Sequence, residues 1–593
     1  MKILGISCFY HDAAAALTDD GRLIAAAEEE RFSRKKHDSG FPEGAIQFCL
    51  EAGGITAPDL DYVVFYEKPF VKFERILLTA LQTYPRAWRS FTDAMMTWMH
   101  DKLWVSALIR ERLGIDGTKL LFADHHGSHA ASAFYPSRFD KAAILTVDGV
   151  GEWTTASFGV GDGTNIRLLR EIRFPHSLGL LYSVFTAFLG FEVNEGEYKV
   201  MGMAPYGQPR YVDKVWKLIE VSRDGSFSLD MDYFAYHYSR DTAYSRKFID
   251  LFGAPRQPGI NFFTSSSGYP SYFGPKPGNY NQLLSENEHY ADVAASIQKV
   301  TEEVMLTMVR AIHTETGLKR LCLAGGVALN SVANGRIVRE TPIEELYIQP
   351  AAGDSGGAIG AALYAYHALL GRPRTGHFMD HAYWGKEYGD ADVRAAIDRR
   401  GLRYEYFGDE SKLLDTTVSD LVAGKVIGWY QGRFEWGPRA LGNRSILGDP
   451  RRAEMKDVVN TKIKFREPYR PFAPSVLVSE SERFFDLPQS ERHDPARFML
   501  LVVPVKNDAV PAVTHVDNSA RLQTVFRETN PRYYDLIQRF GEATGVPVVL
   551  NTSFNLKGEP IVTTPDNALN TFFASEMDTL VLGNHIVRKL ENV

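Results

Sequence analysis

His125 and His129 lie in Leu121-Phe-Ala-Asp-His-His-Gly-Ser-His-Ala-Ala, four residues apart. Residues at this spacing share one face of a helix, so both imidazoles can reach a single ion. Asp124 stands where the N-cap of such a helix would fall. Asp148 ends the apolar run Ala142 to Val147, where a buried strand would stop. Asp354 lies in the small-residue turn Ala351-Ala-Gly-Asp-Ser-Gly-Gly. Two imidazoles and two carboxylates without a thiolate suit iron, manganese or zinc better than calcium. Iron(II) is the first expectation. An isolated His-x-x-x-His is more often structural than metal-binding, so the surrounding motifs have to decide.

Those motifs point to anions and proton transfer. His11, in Tyr10-His-Asp-Ala, is a candidate general base because an imidazole titrates near neutral pH. Leu323-Ala-Gly-Gly-Val-Ala-Leu-Asn-Ser follows an apolar run and opens a helix. Gly325 and Gly326 would let a ligand approach the backbone, the helix N-terminus favours an anion, and Asn330 could bond a ribose or phosphate. Glu195-Gly-Glu-Tyr-Lys-Val-Met-Gly-Met-Ala-Pro-Tyr-Gly reads as a further glycine-rich loop, with Lys199 as a phosphate contact and Gly202 beside it. Arg31-Phe-Ser-Arg-Lys-Lys-His is basic, and is either a solvated face or the frame of a phosphate entrance. The C-terminal part gathers Arg439, Arg444, Lys464, Arg466, Arg470 and Arg521 near expected strand ends, together with Asn551 and Ser553. Guanidinium forks match phosphate and carboxylate oxygens, and buried cations need anionic partners.

The elements that must position these groups read as α/β. Residues 2 to 27 predict a three-stranded meander with a turn at Asp19-Asp-Gly. Residues 142 to 160 repeat the theme, and helical stretches follow each group. Two such halves, each with an acidic turn at a strand edge, describe an actin-like or sugar-kinase-like architecture. Residues 68 to 115 read as a helical insertion rich in aromatic residues, and residues 222 to 285 as an irregular one. Pro, Gly and polar residues in Gly371-Arg-Pro-Arg-Thr-Gly put the main boundary near 371 to 385. Later strands are predicted over 426 to 430, 475 to 478, 498 to 505 and 546 to 550.

At 593 residues the chain is too long for one core. Its net charge of −7 argues against a broad nucleic-acid surface. Three cysteines, Cys8, Cys49 and Cys322, form no metal-spaced pair and fit a reducing compartment. The N-terminus enters a strand at once, without the pattern of a signal peptide, and no apolar run is long enough to span a bilayer. The expectation is a cytoplasmic protein with no membrane or nucleic-acid partner. Its oligomeric state is left open, a homo-oligomer included.

Taken together, these residues resemble the nodulation-protein and antibiotic O-carbamoyltransferase family. The pieces that carry the resemblance are Phe9-Tyr-His-Asp-Ala, Glu28-Glu-Glu-Arg-Phe-Ser-Arg-Lys-Lys-His, the His125/His129 pair, Lys199-Val-Met-Gly-Met-Ala-Pro-Tyr-Gly, Gly325-Gly-Val-Ala-Leu-Asn, Arg439-Ala-Leu-Gly-Asn-Arg-Ser and Asn551-Thr-Ser-Phe-Asn. They are ordered along nearly the whole chain. The resemblance implies an actin-like N-terminal domain, residues 1–375, similar to the threonylcarbamoyl transferase acting on tRNA. It also implies a YrdC-like C-terminal domain, residues 376–593, that makes carbamoyl-adenylate from carbamoyl phosphate and ATP, with magnesium accompanying the ATP. The carbamoyl group then passes to a hydroxyl of a small-molecule natural product, and AMP leaves. By the same resemblance His125, His129, Asp148 and Asp354 hold the metal, and His11 is the base. Lys464, Arg470, Arg521, Asn551 and Ser553 match the activation pocket. Two alternatives compete: a nucleotide-gated regulatory protein without turnover, and threonylcarbamoyl transfer to tRNA. The stretch 222 to 285 departs from the family's usual pattern, which leaves the acceptor unread.

Overall fold

A computed structural model describes residues 1–100, 102–464 and 467–592. The fold is mixed α/β, as the alternation of apolar strands and helical stretches predicts. The chain divides into two compact units. The first comprises residues 1–29, 37–269 and 276–379; the second comprises 30–36, 270–275 and the remainder from Asp380.

The first unit contains two five-stranded sheets with one shared plan. In the first sheet β1 (Lys2–Ser7), β2 (Ala14–Asp19) and β3 (Arg22–Glu28) form the expected antiparallel meander. β4 (Tyr62–Phe65) and β5 (Leu120–Phe122) then join in parallel, giving the order β3-β2-β1-β4-β5. In the second, β6 (Lys141–Val147), β7 (Thr154–Asp162) and β8 (Asn165–Arg173) form the meander. A separate hairpin follows, β9 (Ile219–Val221) with β10 (Phe227–Leu229). Then β11 (Arg320–Ala324) and β12 (Glu345–Tyr347) add in parallel to β6, so the order is β12-β11-β6-β7-β8. β1 and β6 are buried almost throughout, as parallel neighbours and helix-covered faces require.

Small residues let the helices come close to this framework. A Cβ on Gly5 in β1 would stand 1.8 Å from the Ala358 carbonyl oxygen, and one on Gly360 would stand 1.9 Å from that of Ser128. The helix Gly356–Tyr364 therefore lies directly against β1 and the helix His125–Phe134.

The insertion between β4 and β5 is helical as expected, with helices Pro69–Gln82, Trp88–His100 and Val105–Leu113. The stretch 222 to 285 is not irregular throughout. It holds β10, the helix Arg246–Phe252, and the start of a 37-residue helix, Tyr280–Thr316. The short helix is set by tertiary packing: Phe248 and Phe252 lie 5.1 Å, ring to ring, from Phe185. Seven residues carry too little periodicity to announce a helix on their own.

The second unit is built on a nine-stranded mixed sheet. Its strands are β13 (Glu405–Tyr406), β14 (Ile427–Tyr430), β15 (Arg444–Gly448), β16 (Ala473–Leu477), β17 (Leu501–Pro504), β18 (Ser519–Val525), β19 (Val548–Ser553), β20 (Thr579–Leu582) and β21 (His585–Arg588). The order is β13-β21-β20-β14-β15-β19-β16-β18-β17. All four predicted strands are present within a few residues. Helices Glu410–Val422 and Pro531–Thr544 bury Leu413, Leu421, Leu536 and Phe540 in its core. The basic run, left open between a solvated face and a phosphate entrance, lies largely in residues 30–36 of this unit. There Arg31 donates to the Gly437 carbonyl at 2.7 Å, and Arg34 to those of Ile561 at 2.7 Å and Pro560 at 2.8 Å. Among the described residues, no helix is long and apolar enough to cross a membrane.

Candidate functional site

The helix His125–Phe134 begins after Asp124, which holds the N-cap position but makes no side-chain cap. Asp124 instead accepts from Lys68 Nζ at 2.8 Å. The capping carboxylate is that of Glu152, which accepts the His125 N–H through Oε1 at 3.1 Å and Oε2 at 3.2 Å. Glu152 lies beyond β6 and gives no local signal of this role. His125 and His129 then project from one face of the helix, as the spacing requires.

Asp148 follows the last residue of β6. Its Oδ1 accepts the Gly326 N–H at 2.8 Å. Gly325, at φ +95, makes this approach feasible, since a Cβ there would stand 2.3 Å from the Val147 carbonyl oxygen. The Gly-Gly turn thus serves the carboxylate at its own sheet, and the Gly326 N–H predicted for a nucleotide is engaged by Asp148. Asn330 caps the helix Ser331–Glu340 through Ala333 N–H at 3.1 Å, and exchanges hydrogen bonds with Gln298 at 3.0 and 3.1 Å. Lys199 and Gly202, read as parts of a glycine-rich loop, lie instead in the helix Glu197–Met203. The Lys199 ammonium stands over the Phe191 ring at 5.7 Å.

The four predicted metal ligands converge, and all four are buried. His125 Nε2 lies 3.1 Å from His129 Nε2 and 3.1 Å from Asp148 Oδ2. Asp354 Oδ1 lies 3.6 Å from His125 Nε2 and 3.5 Å from His129 Nε2; His129 Nε2 to Asp148 Oδ2 is 3.7 Å. Ligands held tetrahedrally at the usual metal distances stand about 3.3–3.6 Å apart, so one ion fits among these atoms. The donor chemistry agrees. Both Asp354 oxygens are buried without a hydrogen-bond partner, a costly state for a carboxylate unless a cation completes it. The two imidazole nitrogens facing each other likewise need a proton or a metal between them.

The electrostatics follow from burial and charge. Burial alone would drive His125 to its neutral form, but Asp354, Asp148 and Glu67 outweigh it and hold the imidazole well above its ordinary value. His129 is also raised, burial being outweighed by the neighbouring Asp148 and Asp354 carboxylates. Burial opposes ionisation of Asp148, yet the two imidazoles hold it well below the usual carboxylate range. A buried ion pair stands behind His125: Lys72 Nζ lies 2.6 Å from Glu67 Oε2, which in turn is 3.8 Å from His125 Nδ1. Burial disfavours the Glu67 carboxylate, but Lys72 and His125 bring it down to about 2. Glu67 and Lys72 were not legible as site residues, because their neighbours in space are distant in sequence.

His11 stands at the edge of this group, with Nε2 3.8 Å from Asp354 Oδ2. Burial favours its neutral form, but Asp354 and Asp12 outweigh that and lift the imidazole to about 9 without a bound cation.

In the second unit, Lys464, Asn551 and Ser553 come together at β19. Lys464 Nζ donates to Asn555 O and Oδ1 at 2.9 Å and to Ser553 O at 2.5 Å. Asn551 Nδ2 donates to Ser475 Oγ at 3.1 Å and Gln523 Oε1 at 2.9 Å. Arg521 lies in β18, and Arg470, before β16, faces Glu467 at 3.7 Å. Arg439 is half-buried in the loop before β15. Arg444, expected at the activation site, is engaged by the protein itself. It is fully buried, stacks on the Tyr430 ring at 3.6 Å, and donates to the carbonyls of Gln431, Gly432 at 3.0 Å and Asn443 at 3.2 Å. These carbonyls stabilise its charge, so the residue organises the loop. Glu435, missed in the sequence, does the complementary work: its Oε1 accepts the N–H groups of Leu441 and Asn443 at 2.8 Å and of Arg444 at 3.1 Å. Arg466 lies outside the described residues.

Residues 2–363 match the family model "Carbamoyltransferase N-terminus", and residues 418–589 match "Carbamoyltransferase C-terminus". The chain is 47% identical to the uncharacterized protein sll1178 of Synechocystis, covering 99% of this chain and 96% of that one. It is 38% identical to nodulation protein NolNO of Sinorhizobium fredii, covering 98% and 79% of the two chains. It is 34% identical to the 3'-hydroxymethylcephem-O-carbamoyltransferase of Streptomyces clavuligerus, covering 98% of each. The chain therefore belongs to the carbamoyltransferase family and is a transferase.

Proposed function

We propose that this chain is an ATP-dependent O-carbamoyltransferase whose acceptor is a hydroxyl of a small molecule. The observation that carries the reading is the buried tetrad of His125, His129, Asp148 and Asp354 beside His11, within a chain matched at both ends by carbamoyltransferase models. The repeated strand order of the two five-stranded sheets supports an actin-like transfer domain over residues 1–375. The cations near β15, β18 and β19 of the nine-stranded sheet support a YrdC-like activating domain over residues 376–593.

In the activating domain, Lys464, Arg470, Arg521 and Arg439 bind the phosphates of ATP, with its magnesium, and of carbamoyl phosphate; Asn551 and Ser553 orient them. Water cleaves carbamoyl phosphate to carbamate and phosphate; the carbamate oxygen then attacks the α-phosphorus of ATP, the bond from that phosphorus to the bridging oxygen breaks, pyrophosphate leaves, and carbamoyl-adenylate forms. In the transfer domain, Lys199 and Asn330 are the side chains proposed to meet the adenylate. A divalent ion held by the tetrad, iron(II) first and manganese or zinc next, would act as a Lewis acid on the carbamoyl carbonyl. His11 removes the proton of the attacking hydroxyl. The new C–O bond forms, the bond to the phosphate breaks, and AMP leaves. A cation held among the tetrad's carboxylates would weaken the field with which Asp354 raises His11, and so would favour the neutral imidazole. ATP and carbamoyl phosphate as co-substrates fit a cytoplasmic location, and the net charge of −7 fits a small-molecule acceptor better than tRNA.

The test is mass spectrometry of the purified protein with ATP, carbamoyl phosphate and a panel of hydroxylated metabolites that includes 3′-hydroxymethylcephem. The expected product is an acceptor heavier by one carbamoyl group, formed together with AMP. AMP formation without any carbamoylated hydroxyl would overturn the acceptor class, and no AMP at all would overturn the mechanism.

A further inference from the structure

The turn that carries His11 is held in a demanding conformation. Phe9 at φ 73 and Asp12 at φ 50 are both left-handed, as is His37 at φ 54 in the segment beside it. Each such non-glycine residue is strained and persists only where its surroundings over-determine it. Here they do. Phe9 N–H donates to the Ser39 carbonyl at 2.8 Å, and Ala13 N–H to that of Asp38 at 2.7 Å. The segment 37–39 is thereby pinned along the turn 9–13.

This pairing brings two imidazoles to one carboxylate. His37 Nδ1 lies 2.7 Å from Asp12 Oδ1, and His11 Nδ1 lies 3.0 Å from Asp12 Oδ2. An ionised carboxylate only accepts, so each Nδ1 must carry a hydrogen. The His11 Nε2 is then the nitrogen left to take a proton, and it is the one turned toward Asp354. If Asp12 had only His11 to hold, its carboxylate would be free to turn about its own side chain. The His37 bond to the second oxygen removes that freedom.

We propose that His37 is a positioning residue: through Asp12 it fixes His11 in the single tautomer and orientation that present Nε2 to the transfer site. The inference rests on the reading of His11 as the base, and extends that site to a residue 26 positions away in sequence. Base, orienting carboxylate and a third group locking the carboxylate form a general arrangement for directing one lone pair.

The test uses the full-length protein, loaded with zinc as a diamagnetic probe and labelled with ¹⁵N-histidine, at a pH where His11 is neutral. The His11 signal is the one lost in His11→Asn. The parent is expected to show the Nδ1–H tautomer alone. His37→Ala should give a mixture of tautomers. His37→Asn, whose amide places an N–H near the former Nδ1, should restore the single form; His37→Gln, whose N–H sits near the former Nε2, should not. A second arm follows AMP release from supplied carbamoyl-adenylate with 3′-hydroxymethylcephem as the probe acceptor. There His37→Ala and His37→Gln should lower kcat by about 10- to 100-fold, the usual loss for an orienting partner, with metal content unchanged and Asn again restoring it. A single Nδ1–H tautomer in His37→Ala, or failure of Asn to restore it, overturns the inference. Parent-like AMP release in His11→Asn instead overturns the base assignment, whatever the spectra show.

Discussion

The buried tetrad predicts how many protons a metal ion must displace. Asp148 and Asp354 are paired with His125 and His129 in a volume closed to solvent, and both imidazoles are held above their ordinary value once burial has been outweighed. Below the ordinary imidazole value of about 6.5, both imidazoles therefore carry a proton in the metal-free site. A divalent cation that takes the two Nε2 lone pairs there must release both protons. The expected release is about two protons per ion, and the apparent affinity should rise about 100-fold per pH unit while both imidazoles remain protonated. That slope equals about 2.7 kcal/mol per pH unit, from 1.36 kcal/mol per proton. Isothermal titration of the metal-free protein with zinc, in buffers of different ionisation enthalpy at the same pH, counts these protons directly. His129→Gln should release about one proton fewer and bind more weakly. A release near zero in the parent would refute the charge pairing, and undiminished binding in both His125→Ala and His129→Gln would refute the ligand set.

Further outcomes follow from the same geometry. Lys72→Met should destabilise the protein by about 3–5 kcal/mol in urea denaturation, because it strands the buried Glu67 carboxylate, and Lys72→Met/Glu67→Gln should recover much of the loss. Since Glu67 is held down to about 2 when folded against 4.5 unperturbed, its contribution is present above about pH 4.5 and fades as pH falls toward 2. Arg521→Ala should abolish pyrophosphate release from ATP and carbamoyl phosphate yet keep transfer from supplied carbamoyl-adenylate; failure in both assays would mean a misplaced pocket. His11→Asn should lower transfer by about 10²- to 10⁴-fold while metal content and adenylate formation persist. Arg444→Met should lower stability by about 2–4 kcal/mol through the carbonyls it leaves unpaired, whereas loss of nucleotide binding with unchanged stability would return Arg444 to the anion pocket.

What the sequence determined about this chain is whatever depends on local spacing. The i, i+4 histidines had to share a helix face, and the apolar runs of residues 2–27 and 142–160 had to make meanders, because these patterns admit one periodicity. The ordered motifs likewise carried the family resemblance. Tertiary structure decided what distant segments do to one another. Asp124 stands at the cap position, but Glu152 does the capping, since only folding sets Lys68 beside Asp124. The Gly325-Gly326 turn looks like a phosphate cradle in sequence, and in the fold its N–H holds Asp148. Arg444 reads as one more cation, yet its charge is satisfied by carbonyls brought in by the turn after β14. Helix Arg246–Phe252 exists because Phe185 and Phe188 lie beneath it. A charge or hydrogen-bonding group in sequence is only a capacity. Burial removes water as its partner, and which partner replaces water is a matter of three-dimensional proximity that no local pattern encodes.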